Sequence, residues 1–344
     1  MFLNNAWYVA AWADEIGPAP LGRTFLNQPV VLFRTADGAA AALEDRCCHR
    51  HLPLSMGKVV GAELECGYHG LHFDRTGRCV AVPGQPRVPP GAAVRAYPLV
   101  ERWGWVWIWM GDPSRADPAL IPDWWFMDHP DWKVVPGNGS KPIHARCNYQ
   151  LITDNLLDLS HVGYVHVDTI GSDSIMRFPI RTDRGADRVT MSRLMPDVTP
   201  PPLHRTAGGF KGNVDRWMIV EARVPCYVDV DVGSAEVGCG ALEGNRLQGI
   251  AYHALNVPTP ETATTTHFFY GHARYYLTDS AAIDEMYRRD FLKIFMEDVV
   301  VMEAQQAAMD RMPDRPCVDV NGDAPTIAMR RLLGDRIAAE AAGA

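Results

Sequence analysis

The sequence predicts an α+β fold, in which an all-β domain over residues 1–128 precedes a larger α+β domain over residues 129–344. Short apolar segments broken by turn residues fill the first part of the chain. The apolar residues between Asp284 and Met312 instead recur at helical spacing, with no internal Gly or Pro. The 344 residues, of which 47% are hydrophobic, suffice for two domains with separate cores.

The apolar segments of the first domain include residues 30–33, 39–43 and 59–64, and they are broken by Asp37-Gly38, Gly57 and Gly61, as expected for short strands joined by turns. Residues 103–110, WGWVWIWM, predict a strand that is buried on both faces. The Pro-, Asp- and Trp-rich residues 113–142 have no clear period, so we expect them to form a surface linker.

In the second domain, residues 148–166 are predicted to be helical, and the region 189–232 to contain strands joined by long loops. Residues 267–276 predict a further strand, and residues 284–312 a long helix. A short terminal helix is expected over residues 330–342.

Charge and composition exclude several classes of function. The net charge is −8, with 33 basic and 41 acidic residues, which argues against binding to nucleic acid. No apolar run approaches the roughly 20 residues of a membrane helix, and the N-terminus lacks the features of a signal peptide. We therefore expect a cytoplasmic protein, in which the eight cysteines are reduced thiols or metal ligands.

The first candidate metal site is formed by two short motifs. Cys47 and His49 form C-x-H, and Cys66 and His69 form C-x2-H. In a Rieske [2Fe–2S] cluster one iron takes two Cys and the other two His, so loops that mix both residue types can each bind both irons. A structural zinc site is the alternative, but zinc fingers usually group Cys with Cys and His with His.

These motifs resemble those of the Rieske ring-hydroxylating oxygenases, and most closely the vanillate O-demethylase and toluenesulfonate methyl-monooxygenase components. The resemblance includes segments 7–11 (WYVAA), 46–50 (RCCHR), 68–71 (YHGL), 97–102 (YPLVER) and 106–113 (VWIWMGDP), and it covers most of the chain. It implies an N-terminal Rieske domain and a C-terminal, helix-grip-like catalytic domain with an antiparallel sheet and a mononuclear iron.

His161 and His166 are the candidate ligands of that second iron. They are five residues apart, so a regular helix between them must break, and Gly163 is well placed for this. A mononuclear non-haem Fe(II) site needs two His and one carboxylate. On spacing alone, Glu297, Asp298 and Glu303 all remain possible; the resemblance selects Asp298.

Two residues near these histidines have predicted supporting roles. Asp158 lies one helical turn before His161 and can therefore hold its outer ring nitrogen. By resemblance, Asp158 also links His161 to His69 of the partner subunit, which implies a homotrimer. Asn155 is expected to line the iron pocket.

The predicted function is that of a terminal oxygenase that hydroxylates or demethylates an aromatic acid bearing a methyl or methoxy group. Because the chain has no dinucleotide-binding glycine motif, electrons must come from a separate NAD(P)H-dependent reductase or a ferredoxin. The alternatives are a ring-dihydroxylating dioxygenase and a non-catalytic Rieske electron carrier. The candidate substrate contacts are His253, Asn256, Arg205, Lys211 and Arg216.

Overall fold

The computed structural model describes residues 1–166, 170 and 177–343. The chain divides into two compact units. The first comprises Met1–Pro122 together with Thr259–Ala263, and the second comprises Asp123–Pro258 together with Thr264–Ala344. The sequence did not predict that residues 259–263, far along the chain, belong to the first unit.

The first unit, all of whose residues are described, consists of short antiparallel strands in three sheets. The sheets have the orders β1-β10-β9, β2-β3-β4 and β5-β6-β7-β8. The strands are β1 (Trp7–Trp12), β2 (Leu21–Phe25), β3 (Gln28–Arg34), β4 (Ala40–Glu44), β5 (Lys58–Val60), β6 (Glu63–Glu65), β7 (His72–Phe73), β8 (Cys79–Ala81), β9 (Leu99–Arg102) and β10 (Trp105–Trp109).

The tryptophan-rich strand is buried on both faces, as predicted. All five residues of β10 are buried, as are all six of its neighbour β1. Trp7 pairs directly with Trp109, and their rings meet edge to face at a centroid distance of 5.4 Å. Gly61, predicted to interrupt the apolar segment 59–64, takes a left-handed turn (φ +61°) that separates β5 from β6.

The predicted linker over residues 113–142 is more ordered than expected. It contains a short strand, Lys133–Pro136, and four 3-10 helices, at Pro113–Arg115, Pro118–Leu120, Trp125–Met127 and Gly137–Gly139. Ile121, Trp124 and Phe126 within it are buried. Asp112 and Asp117 cap the first two turns through bonds from main-chain N–H groups. The Pro and Asp residues that predicted an irregular linker therefore lie at the N-termini of short 3-10 helices.

One antiparallel sheet dominates the second unit. Its order is β11-β18-β17-β16-β15-β14-β13, with β12 also paired to β18. The strands are β11 (Lys133–Pro136), β12 (Ile143–Ala145), β13 (Arg181–Arg184), β14 (Arg188–Val198), β15 (Val214–Arg223), β16 (Tyr227–Glu236), β17 (Ile250–Pro260) and β18 (Thr266–Arg274).

The helices of this unit pack on the sheet around one core. Their bounds are α1 (Tyr149–Leu157), α2 (Val162–Val165), α3 (Pro202–Gly208), α4 (Ala281–Arg311) and α5 (Ala324–Ala341). Ser280 caps α4, whose buried stripe of Tyr287, Phe291, Phe295 and Met302 joins the core formed with the sheet. None of the helices in the described part of the chain combines the length and apolar character needed to cross a bilayer.

Candidate metal centres

The two loops that carry the Cys and His motifs have the same backbone hydrogen bonds. In the first, the N–H of Cys47 donates to Leu52 O, and the N–H of His51 donates back to Cys47 O. In the second, the N–H of Cys66 donates to Leu71 O, and the N–H of Gly70 donates back to Cys66 O. His51 and Gly70 share a left-handed conformation, with φ of +61° and +67°. The loops are thus two copies of one turn.

This turn buries the thiols and exposes the imidazoles. Cys47 and Cys66 are each 2% exposed and their thiols are adjacent, whereas His49 and His69 are exposed with ring centroids 4.6 Å apart. Burial and the neighbouring Cys66 thiol raise the pKa of Cys47 to about 11. Both thiols can therefore lose their protons only beside a cationic metal centre. Two thiolate sulfurs and two imidazole nitrogens are the donor set of a Rieske cluster.

The second pair of histidines flanks a single turn of helix. Helix α1 ends at Leu157, and α2 then begins after His161 and ends before His166. The predicted break between His161 and His166 is wrong, because α2 occupies the segment between them and the interruption instead lies at residues 158–161. Asp158 causes it: its carboxylate Oδ1 accepts hydrogen bonds from the N–H and Oγ of Ser160 at 2.8 and 2.5 Å, which forms a turn instead of a helix. Gly163 lies inside α2 and is not the breaking residue.

His161, His166 and Asp298 form a compact three-residue cluster. One ligand atom from each lies within 4.8 Å of the others. The Nε2 atoms of His161 and His166 are 3.4 and 3.1 Å from the same Oδ1 of Asp298. Asp298 is 4% exposed and occupies a position in the buried stripe of α4. Two imidazoles and a buried carboxylate fit a mononuclear non-haem iron.

The outer nitrogens of both imidazoles are also held. Nδ1 of His166 lies 2.8 Å from Glu297 Oε2, and Nδ1 of His161 contacts the main-chain carbonyl of Asp158. Within this chain it is therefore the carbonyl of Asp158, not its carboxylate, that holds His161. Such contacts fix the ring orientation and the tautomer of a metal-binding histidine.

The protonation of the two histidines is compatible with metal binding. Burial lowers the pKa of His161, which keeps its ring neutral. Burial acts in the same direction on His166, but hydrogen bonds and charges of Asp298 and Glu297 outweigh it and raise the pKa of His166. A proton and a metal cation therefore compete for this nitrogen.

The other two carboxylates that sequence spacing allowed lie outside the cluster. Glu297 approaches the outer nitrogen of His166, as described above, and its other carboxylate oxygen lies 3.9 Å from Lys293 Nζ. Glu303 accepts hydrogen bonds from the N–H and guanidinium of Arg146, the shortest at 2.7 Å. The spacing of apolar residues along α4 distinguishes Asp298 from these two carboxylates. Asp298 lies three residues after Phe295 and four before Met302, which places it in the buried stripe of the helix.

The cluster forms part of the wall of a cavity of about 790 Å³, some of it continuous with solvent. Asn155 lines the cavity, as predicted, and its Nδ2 donates to Asp298 Oδ1 at 3.1 Å. Most of the wall is apolar and includes Leu156, Leu159, Met218, Val230, Val232 and Phe295. A mostly apolar cavity with a few polar groups in its wall suits a small organic molecule.

The candidate substrate contacts separate into two groups. Asn256 and Arg216 line the cavity, and Oδ1 of Asn256 is buried with no hydrogen bond. His253 does not line it, because residues three apart on β17 face opposite sides of the sheet. His253 instead contacts Asp229 at 2.9 Å and stacks on Phe126. Arg205 and Lys211 are exposed and lie outside the described lining.

Comparison with known protein families agrees with both sites. The model of the Rieske [2Fe-2S] domain matches residues 6–98. The model of the vanillate O-demethylase oxygenase C-terminal domain matches residues 145–339. The cysteine and histidine loops fall in the first match, and the cluster of His161, His166 and Asp298 falls in the second.

Individual relatives align over nearly the whole chain. It is 43% identical over 347 residues to a putative toluene-4-sulfonate monooxygenase system iron-sulfur subunit of Comamonas testosteroni, covering 100% of this chain and 99% of that one. It is 38% identical over 347 residues to a vanillate O-demethylase oxygenase subunit of Pseudomonas sp. strain HR199, covering 99% and 96%. The crystal structure of dicamba monooxygenase bound to dicamba superposes with a TM-score of 0.88 at 35% identity, covering 99% of both chains.

Fold and site together define a Rieske non-haem iron oxygenase. Within that class, the chain belongs to the vanillate O-demethylase oxygenase family. It is the oxygenase component of a Rieske monooxygenase system, and its cofactors are a [2Fe–2S] cluster and a mononuclear iron.

Proposed function

We propose that this oxygenase hydroxylates the methyl or methoxy carbon of a small aromatic acid. The observation that carries the proposal is the cluster of His161, His166 and Asp298 in the wall of a largely apolar cavity. Relatives named for toluene-4-sulfonate, vanillate and dicamba support an aromatic acid as the substrate. All three names denote a ring with an acidic group and a methyl or methoxy substituent.

The overall reaction consumes one O2, two electrons and two protons, and yields one hydroxylated carbon and one water. A hydroxylated methoxy carbon is a hemiacetal, which releases formaldehyde. When bound, the two iron centres supply single-electron transfer and O2 activation. His161, His166 and Asp298 would hold the mononuclear iron, and Cys47, His49, Cys66 and His69 would hold the cluster.

The protein's own residues orient the ligands and exclude water. Glu297 and the Asp158 carbonyl fix the two imidazoles, and Asn155 donates a hydrogen bond to the Asp298 carboxylate. The apolar wall offers few hydrogen-bond partners to water around a bound ring. Asn256 offers a buried oxygen that can accept a hydrogen bond from a substrate hydroxyl.

Electrons would come from a separate NAD(P)H-dependent reductase or a ferredoxin. The names of the relatives support this, since they describe a subunit of a system or an oxygenase component. The exposed rings of His49 and His69 provide a surface where a donor can approach the cluster. A cytoplasmic location follows from the need for NAD(P)H.

We further propose a homotrimer in which electrons cross between chains. The cluster-binding domain, residues 1–128, would then serve the catalytic domain, residues 129–344, of another copy. Asp158 would bridge His161 to His69 of the partner subunit. Its position supports this role, because the half-buried carboxylate lies on the turn that directly precedes His161.

The test is turnover of methylated and methoxylated aromatic acids by the reconstituted holoenzyme with a reductase under ¹⁸O2. Hydroxymethyl product or formaldehyde, with one labelled oxygen atom per product, is expected. A cis-dihydrodiol with two labelled atoms would instead make the protein a ring dioxygenase. Absence of any product from the whole panel would reject aromatic acids as the substrate class.

A further inference from the structure

A buried arginine shares the cavity with the candidate iron ligands. Arg216 lies on β15 and is 3% exposed. Met218 and Val220, at alternate positions of the same strand, are buried too, so Arg216 lies on the core-facing side of the sheet. Among the described residues that line the cavity, Arg216 alone carries a permanent positive charge.

The guanidinium of Arg216 has no counter-ion within the described chain. Its Nε and Nη1 are buried without a hydrogen bond. The cavity has one described carboxylate, Asp298, and that group faces the two histidines. A buried charge without a partner is costly and is rarely kept unless a ligand compensates it.

The groups next to Arg216 are polar but neutral. Ser234 is its direct neighbour on β16, and Ser234 Oγ lies 2.6 Å from Nδ1 of His204. Burial and the charge of Arg216 lower the pKa of His204 to about 3, so this ring is uncharged at neutral pH. Burial raises the pKa of the Tyr252 phenol, which is therefore also neutral. This end of the cavity thus keeps the full positive charge of Arg216.

We infer that Arg216 binds the carboxylate or sulfonate of the substrate and so selects anionic aromatic compounds. The inference rests on the proposed function and adds to it the residue that recognises the acidic group. A guanidinium suits this role because its planar donors match two oxygens of a carboxylate or sulfonate. Arg216 lies on β15 and Asp298 on α4, so the distance between them is fixed by the fold. When the acidic group of a substrate is bound to Arg216, only a ring substituent at a matching distance can reach the metal.

The experiment measures binding to the holoenzyme by calorimetry, with 4-methylbenzoate, 4-methylbenzenesulfonate and the neutral 4-methylbenzamide as probes. The variants are Arg216→Met, Arg216→Lys and, as a matched control, Arg205→Met on the exposed face of α3. We expect Arg216→Met to weaken binding of the preferred anion on the order of a hundredfold and to leave the amide unchanged. Arg216→Lys should recover part of the loss, and Arg205→Met should resemble the wild type.

Thermal unfolding without ligand provides the second readout. If Arg216 is an uncompensated binding residue, Arg216→Met should unfold at or above the wild-type Tm. A purely structural arginine would give a lower Tm. Retention of the anion preference by Arg216→Met, or equal losses for anion and amide, would overturn the inference.

The two proposals fail in different ways. If the wild type oxidises aromatic acids but Arg216→Met does so equally well, the proposed function stands and the proposed role of Arg216 is wrong. If no acid is oxidised while anion binding still depends on Arg216, the proposed role of Arg216 stands and the proposed reaction is wrong. The probe that binds more tightly distinguishes a carboxylate from a sulfonate as the natural group.

Discussion

Glu297 Oε2 lies 2.8 Å from Nδ1 of His166. The next residue of α4, Asp298, approaches the opposite ring nitrogen of the same imidazole, with Oδ1 3.1 Å from Nε2. Two consecutive carboxylates on one helix therefore hold one histidine from both sides. One would bind the metal, and the other would fix the ring that binds it.

Replacing Glu297 should weaken metal binding without abolishing it. Glu297→Gln removes the charge that fixes the orientation of His166 while the three ligands remain, so we expect a loss of about 10- to 100-fold in affinity for the mononuclear iron. Titration of iron into protein depleted of that iron measures the affinity. Glu285→Gln, on an exposed part of the same helix, is the control. Equal affinity of the two variants would contradict the supporting role of Glu297.

Replacing Asp298 should remove one metal only. Asp298→Ala deletes a ligand of the three-residue cluster, so we expect loss of the mononuclear iron and of turnover, while the visible spectrum of the [2Fe–2S] centre stays the same. Glu303→Ala should keep that iron, because Glu303 contacts Arg146 rather than the histidines. If the iron were lost from the Glu303 variant and kept in the Asp298 variant, the ligand assignment would be reversed.

Adjacent cysteines should behave in opposite ways. Cys47 is buried in the paired turn and is a proposed cluster ligand, whereas Cys48 is exposed. We expect Cys47→Ser to lose the visible absorption and acid-labile sulfide of the cluster, and Cys48→Ser to retain both. A coloured Cys47→Ser protein with full sulfide content would count against the assignment.

Asp158→Asn should separate metal binding from turnover. Asparagine Oδ1 can still accept the Ser160 hydrogen bonds that form the turn, so both metals should stay bound. If Asp158 carries electrons between chains, the steady-state rate should fall by at least about 10- to 100-fold relative to a silent surface change, which is the loss typical of altered supporting carboxylates. Wild-type turnover in this variant would refute the bridging role.

The ion pair between Glu303 and Arg146 should make stability depend on pH. The hydrogen bond from Arg146 lowers the pKa of Glu303 below its usual 4.5. A carboxylate with a lowered pKa in the folded state stabilises the protein above pH 4.5, and this contribution is lost as the pH falls through the lowered value. Glu303→Gln should thus be less stable than the wild type at pH 7, and the difference should shrink at more acidic pH. A difference in unfolding midpoint that does not change with pH would exclude this linkage.

The sequence predicted the two sites better than their surroundings. Cys47, His49, Cys66 and His69 were predicted as ligands from spacing, because the Cys and His of each loop are two or three residues apart. Asp298 needed the family resemblance, although the apolar stripe of α4 already distinguishes it from its neighbours.

The substrate contacts were predicted less well. His253 was misplaced because the alternation of side chains along a strand was not applied from Asn256. Arg216 was only one of three candidate cations, since its burial depends on β14 and β16, which pair with β15 through contacts distant in sequence.

The turn before His161 shows a similar limit. Spacing requires a break between the two histidines, and Gly163 was the local choice. The segment between the histidines is instead helical, and the interruption precedes it, where Ser160 donates hydrogen bonds to Asp158. Such a side-chain turn is hard to distinguish in sequence from a continuing helix.

The central claim is that this one chain binds both a [2Fe–2S] cluster and a mononuclear iron. Quantification of iron and acid-labile sulfide in the purified holoprotein tests it most directly. We expect about three irons and two sulfides per chain. Two irons and two sulfides after reconstitution with excess Fe(II), or zinc in place of iron, would contradict it.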